Sequence, residues 1–289
     1  MAVYVTSDAH GHVRALDAAL NAASIGVDDE LFVLGDMVDR GPDPVGVLSL
    51  VRALPNARVL RGNHEELMLM AIARSGAPRD GSFDVSHLDV DGFVDWSGWM
   101  QNGGGVTATQ LEDLAPQDFA SLVAWVADLP LYAVTVAGGR TYALVHAGIN
   151  PEVTAAWRAD NPDADVSDPE VLEQLLEAQD PEDLLWVREG FWGAPTGLVD
   201  AGGKGPIVIA GHTPSPYLEQ WIDAPDVEGI VCDDGLGKVV PMGACAATGG
   251  VPDRFDIDCA AAGGAGMGRV GVMRLDDHKI WYAEIEEGE

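Results

Sequence analysis

Residues 32–41 read FVLGDMVDRG: a short apolar run, then two aspartates and an arginine held between glycines. A strand that delivers carboxylates and a guanidinium into a tight turn predicts an α/β layered fold, because ligands of such folds sit beyond the carboxyl ends of the strands. The surrounding sequence repeats the pattern. AVYVTSD (2–8) reads as a strand with a polar end, and HVRALDAALNAA (12–23) as a helix with Val13, Leu16 and Leu20 on one side. ELFVLGD (30–36) is the next strand, PVGVLSLVRAL (44–54) the next helix and ARVLRGNH (57–64) the third strand, followed by a helix over 64–74. This β-α-β-α-β-α order predicts a parallel sheet with polar clusters after Thr6, Leu34 and Leu60.

Residues 75–105 are rich in Gly and Asp and read as loops plus a short helix, with helix resuming over 107–129. LYAVTVAGGRTYALVHAG (131–148) reads as a hairpin that turns at Gly138-Gly139 and ends its second strand at His146. Acidic helices follow over roughly 151–185, then a buried strand in PIVIAGHT (206–213). Residues 223–253 predict a loop excursion before RFDIDCA (254–260), and RVGVMRL (269–275) and KIWYAEI (279–285) are strands joined at DDHK. With no repeat and no linker, one catalytic domain over 1–289 is expected.

The chain carries 16 Lys+Arg against 47 Asp+Glu, a formal net charge of −31, with 47% hydrophobic residues. That hydrophobic content argues against disorder, and the charge argues against nucleic acid or anionic membrane as partners. No apolar stretch approaches the ~18 residues of a membrane span. The N-terminus lacks the basic region of a signal peptide, and Cys232, Cys245 and Cys259 have no zinc spacing. A cytoplasmic protein is expected. The acidic run at 160–183 reads as a solvated surface, its functional alternative being attraction of basic peptides.

Five strand ends deliver Asp8-Ala9-His10, Gly35-Asp36, Gly62-Asn63-His64, Val145-His146 and Gly211-His212. Hard oxygens mixed with imidazoles suit a pair of first-row divalent or mixed-valence ions, such as Mn, Fe or Zn, better than a calcium or magnesium cage. Two ions ~3.5–4 Å apart would activate water and clamp an in-line displacement, with Asp36 as the shared carboxylate. Arg40 and Arg188 could fork onto phosphate, His64 could protonate the leaving oxygen, and Asp39 could orient that imidazole. His12, His87 and His278 read as structural or solvated residues, and Trp96 and Trp99 as packing that could also line the cleft.

The motifs SDAHG (7–11), GDMVDRG (35–41) and GNHE (62–65) resemble those of the phosphoprotein phosphatase family, within the calcineurin-like metallophosphoesterases. VHAG (145–148), LWVRE (185–189) and GHT (211–213) extend the resemblance in order along nearly the whole chain. DWSGWMQNGGGVTATQL (95–111) and IDCAAAGGAGMGRV (257–270) are weaker family-like segments. The resemblance implies a central β-sandwich of mixed sheets flanked by helices, which replaces the purely parallel expectation. It places Asp8, His10 and Asp36 on one metal, and Asp36, Asn63, His146 and His212 on the second. His64 would be the general acid paired with Asp39, and Arg40, Arg188 and Asn63 would hold the phosphate. Ser7 and Ala147 stand where the family has glycines, and DCA (258–260) where it has DTG. Cys259 there is expected to be a buried, inert thiol.

The activity so implied is that of a Mn²⁺-dependent serine/threonine protein phosphatase with possible phosphotyrosine activity, acting on a phosphoprotein or phosphopeptide. A symmetrical diadenosine tetraphosphate hydrolase is the alternative reading, and a noncatalytic metal-binding module a third. The hydrolase group usually lacks the second aspartate and ends its third motif in Asp, whereas this chain keeps Asp39 and Glu65.

Overall fold

The computed structural model describes residues 1–222 and 234–289. Its first part runs β1 (Val3–Thr6), α1 (Val13–Ala23), β2 (Glu30–Val33), α2 (Pro44–Ala53), β3 (Ala57–Val59) and α3 (Asn63–Ser75). Next come α4 (Val90–Trp99), a wide helical turn at Met100–Gly104, α5 (Gly105–Glu112) and α6 (Pro116–Ala127). The hairpin β4 (Tyr132–Ala137) and β5 (Arg140–Val145) leads into α7 (Pro151–Asp160), α8 (Pro169–Glu177), α9 (Pro181–Trp186) and α10 (Glu189–Trp192). The remaining strands are β6 (Ile207–Ala210), β7 (Val240–Met242), β8 (Arg254–Asp256), β9 (Arg269–Arg274) and β10 (Lys279–Glu284).

Helix starts follow local chemistry. Asp43, Asn150, Asp168 and Asp180 each precede a proline at the first helical position, and each carboxylate or amide oxygen accepts a free backbone N–H of the first turn.

The strands form two mixed five-stranded sheets, in the orders β10-β9-β1-β2-β3 and β4-β5-β6-β8-β7. In the first, β1, β2 and β3 are parallel while β9 runs antiparallel to β1. In the second, β5, β6 and β8 are parallel, flanked by antiparallel β4 and β7. Side-chain alternation explains the layering. Val3, Val5, Phe32 and Leu34 meet Tyr142, Leu144, Ile207 and Ile209 between the sheets. Their neighbours Tyr4, Leu31 and Val33 face the opposite way, onto Leu16 of α1 and Val47 of α2. Ala143, Val145, Val208 and Ala210 likewise pack outward, against Leu172, Leu176, Phe191 and Trp192. Every central strand is buried on both faces, so its polar residues can gather only at its ends.

Three expectations change. Helix extends from α4 through the turn into α5, where residues up to 105 read as loops plus a short helix, and the helix expected over 107–129 is interrupted between α5 and α6, where Pro116 starts a new helix. Part of the expected excursion, Val240–Met242, is an edge strand paired with β8, and the stretch 223–233 with Cys232 lies outside the described residues.

Candidate active site

The ends of β1, β2, β3, β5 and β6 bring Asp8, His10, Asp36, Asn63, His64, His146 and His212 together, all buried. The turns are tight. Asp8, His10, Asp36, Asp39, Arg40 and His212 all adopt positive φ between 41° and 69°, a region L-residues avoid. Gly35, at φ +94°, allows close approach of two turns, since a Cβ there would fall on the backbone nitrogen of Gly62. Gly35→Ala is therefore expected to destabilise the fold by roughly 2 kcal/mol or more, read as a lower melting temperature.

Asp36 is central. Its Oδ2 lies 3.5 Å from His10 Nε2 and 3.9 Å from His64 Nε2, and its Oδ1 lies 3.4 Å from His146 Nε2. Two ligand groups result, His10 with Asp36 and His64, and Asp36 with His146 and His212, sharing one carboxylate. The tautomers are set from behind. His10 Nδ1 donates to the Val38 carbonyl at 2.9 Å and His146 Nδ1 to the Leu34 carbonyl at 2.8 Å, which leaves both Nε2 lone pairs bare. The bare His146 Nε2 faces Asn63 Oδ1 at 2.9 Å, and His212 Nδ1 faces the same oxygen at 2.8 Å. The His146 Nε2 lone pair meets an oxygen rather than a donor, and the mixed nitrogen and oxygen donor set fits a cation. Burial lowers the pKa values of His10, His146 and His212, so these rings are neutral donors near pH 7.

Asp8 sits slightly apart from these groups. Both its oxygens accept the His212 backbone N–H at 3.1 Å. Burial, then Asp258 and Asp36, raise its pKa well above the carboxylate range. Asp36 is the opposite case: burial opposes its charge, but the facing imidazoles prevail and lower its pKa.

His64 Nδ1 donates to Asp39 Oδ2 at 2.7 Å, and Arg40 Nη2 reaches His64 Nε2 at 2.8 Å. Burial disfavours the imidazolium, yet Asp36 and the Asp39 hydrogen bond outweigh it and raise the His64 pKa above its usual value. Arg40 Nη1 also lies 3.3 Å from His10 Nε2. Arg188 reaches the second ligand group, its Nη2 donating to the His212 carbonyl at 3.3 Å. Both guanidiniums therefore border the ligand cluster in a strongly acidic chain.

The supporting contacts of several residues escaped the sequence reading. Glu65, fully buried, accepts backbone N–H groups of Asp36, Met37 and Gly62 at 2.8 Å and ties the second motif to the third. Burial and Asp36 push its pKa up to about 7. Its position three residues past Gly62 was the available signal. Asp256 and Asp258 are buried at the end of β8, and burial pushes Asp258 up to about 7. Trp99 and Thr107 both hydrogen-bond Asp39. His12 is buried but outside the cluster, His87 is exposed, and His278 meets the Tyr142 hydroxyl at 2.9 Å. Cys259 is buried and burial raises its thiol pKa, as expected of an inert residue.

Residues 1–240 match the family described as calcineurin-like phosphoesterase, and the chain belongs to that family. A protein of Erwinia tasmaniensis named bis(5'-nucleosyl)-tetraphosphatase, symmetrical, is 36% identical over 101 residues, which span 33% of this chain and 37% of that protein. A protein of Dechloromonas aromatica with the same name is 25% identical over the whole of this chain and 98% of its own length. Among solved structures, one provisionally described as a diadenosine tetraphosphatase superposes with a TM-score of 0.52 at 16% identity, covering 99% of this chain and 94% of that one, a likeness of fold.

Proposed function

We propose that the chain is a two-metal phosphoesterase whose substrate is a symmetrical bis(5'-nucleosyl) tetraphosphate, split at its central anhydride into two nucleoside diphosphates. The observation that carries the phosphoesterase reading is the pair of ligand groups sharing Asp36 beside an Asp39–His64 pair. Asp8, His10 and Asp36 would hold one ion; Asp36, Asn63, His146 and His212 would hold the other. When bound there, divalent ions supply Lewis-acid activation of water and neutralise charge on the phosphoryl oxygens. Arg40 and Arg188, with Asn63, orient the reacting phosphate through charge-assisted hydrogen bonds. His64 Nε2 gives its proton to the leaving oxygen, while Asp39 holds Nδ1–H and so keeps the ring in that orientation. The substrate class rests on the names of the relatives, above all the one aligned over the whole chain.

A second reading, hydrolysis of a phosphoserine or phosphothreonine monoester, is favoured by one contact. Asp39, which the tetraphosphatase group usually lacks, is in place 2.7 Å from His64. Both substrates belong in one Mn²⁺ assay. Conversion of bis(5'-adenosyl) tetraphosphate to ADP without free phosphate is the expected result. Release of phosphate from a phosphoserine peptide with the dinucleotide intact would replace the first reading with the second, and turnover of neither would overturn both.

A further inference from the structure

Asp39 is fully buried, so the orientation of its carboxylate toward His64 is set by its protein neighbours. Two side chains select one. The Trp99 indole N–H donates to Asp39 Oδ1 at 3.0 Å and Oδ2 at 3.2 Å. The Thr107 hydroxyl donates to Oδ1 at 2.6 Å and accepts the Asp39 backbone N–H at 3.0 Å. One hydroxyl thus locks both the backbone, at φ +69°, and the side chain of the same residue. With Oδ1 occupied, Oδ2 is turned onto His64 Nδ1. Trp99 and Thr107 are themselves fully buried, so water cannot replace either donor cheaply.

The same segment reaches Arg40. The Gly103 carbonyl accepts the Arg40 backbone N–H at 3.2 Å. Gly103 lies at φ +100°, where a Cβ would come 2.8 Å from Arg40 Cγ. The wide turn at Met100–Gly104 brings Gly103 to Arg40 while Trp99 before it and Thr107 after it reach Asp39. We infer that the 99–107 segment is a positioning element in which Trp99 and Thr107 fix Asp39, and through it His64, while Gly103 fixes Arg40. This inference rests on His64 acting as the general acid.

The alternative for Trp99 is packing alone, as its edge contact with Trp96 at 5.5 Å would suggest. Trp99→Phe keeps the ring and removes the donor; Thr107→Val keeps the shape and removes the hydroxyl; Thr107→Ser restores it. Two readouts separate the roles. In the NMR spectrum of the protein loaded with diamagnetic Zn²⁺, the His64 Nδ1–H signal of the wild type is expected downfield and slow to exchange. It should move upfield and exchange faster in Trp99→Phe and Thr107→Val, and return in Thr107→Ser. In turnover with Mn²⁺, these two variants should lose roughly tenfold in kcat on phenyl phosphate, much less on 4-nitrophenyl phosphate, whose leaving group needs little protonation, and KM should hold.

An unmoved Nδ1–H signal, or equal losses on both esters at unchanged melting temperature, would overturn the inference. His64→Asn run alongside tells the two failures apart. Leaving-group selectivity in His64→Asn without it in the other variants sinks the positioning role alone, whereas its absence from His64→Asn sinks the acid role and the inference with it. Either substitution decides the matter should the other not fold.

Discussion

His64→Asn is expected to lower kcat by about 10²–10⁴-fold, the usual contribution of a positioned acid, with metal content unchanged. Asparagine keeps a polar group near the ring's place but has no proton to give at the Nε2 position. The His64 backbone N–H, which donates to Asp36 Oδ1 at 3.0 Å, survives the change, so the central carboxylate stays in place. Activity should be measured beside metal stoichiometry. Turnover within about twofold of wild type would remove His64 from the chemistry, whereas loss of metal would make it a ligand, as its position in the Asp36 and His10 group also allows.

The metal-free protein is expected to lose stability as pH rises from about 6.5 to 8.5, and divalent ions to restore more at the upper end. Glu65 and Asp258 have folded pKa values pushed up to about 7, and Asp8 and Asp256 stand well above their usual range, burial being the first cause throughout. A carboxyl whose folded pKa exceeds its unfolded one contributes stability below the unfolded pKa and loses it as pH rises through the folded pKa. His10, His146 and His212 have lowered pKa values and therefore act in the opposite sense, but only below about 6.5, while His64, whose pKa is raised, acts in the same sense as the carboxyls. Above that pH the three lowered rings are neutral in both states and drop out. For Glu65 and Asp258 together the loss over this window is on the order of 1–2 kcal/mol, which corresponds to a melting temperature lower by roughly 2–6 °C in a chain of this size. Differential scanning fluorimetry of EDTA-treated protein, with and without added Mn²⁺, reads both effects. A melting temperature that rose over this range without metal would mean that the buried carboxyls are charged without penalty.

The fold was legible where strands were continuous apolar runs with polar ends. The stretch FVLGD lies buried on both faces of β2, as its lack of alternation implied. The placement of β9 against β1 was not legible from pattern, because Tyr4 meets Arg274 across nearly the whole chain; the family resemblance supplied the mixed sandwich. β7 was missed because three residues with Pro241 in the middle carry little strand signal, and a proline is tolerated only because β7 is an edge strand. In the site, each ligand candidate could be read because it follows its own strand. Trp99 and Thr107 could not, since they reach Asp39 from 60 and 68 residues away and look like helix packing. The substrate was the least legible feature. The leading expectation was a phosphoprotein, yet the named relatives support the tetraphosphate alternative. The sequence clues between the two come down to Asp39 and Glu65.

The left-handed turns at the strand ends also bear on how this protein can be altered. Six non-glycine residues around the site hold a backbone conformation that disfavours any side chain, by roughly 1 kcal/mol apiece. Glycine would relax the backbone at any of them but would also remove a hydrogen-bonded side chain: Asp39→Gly would leave the Trp99 indole N–H, the Thr107 hydroxyl and His64 Nδ1–H without their acceptor, at roughly 1–3 kcal/mol each, more than the strain relieved. The strain is therefore held by the same hydrogen bonds that build the site, and a sturdier version of this chain is better sought in its outer helices than at the ends of its strands.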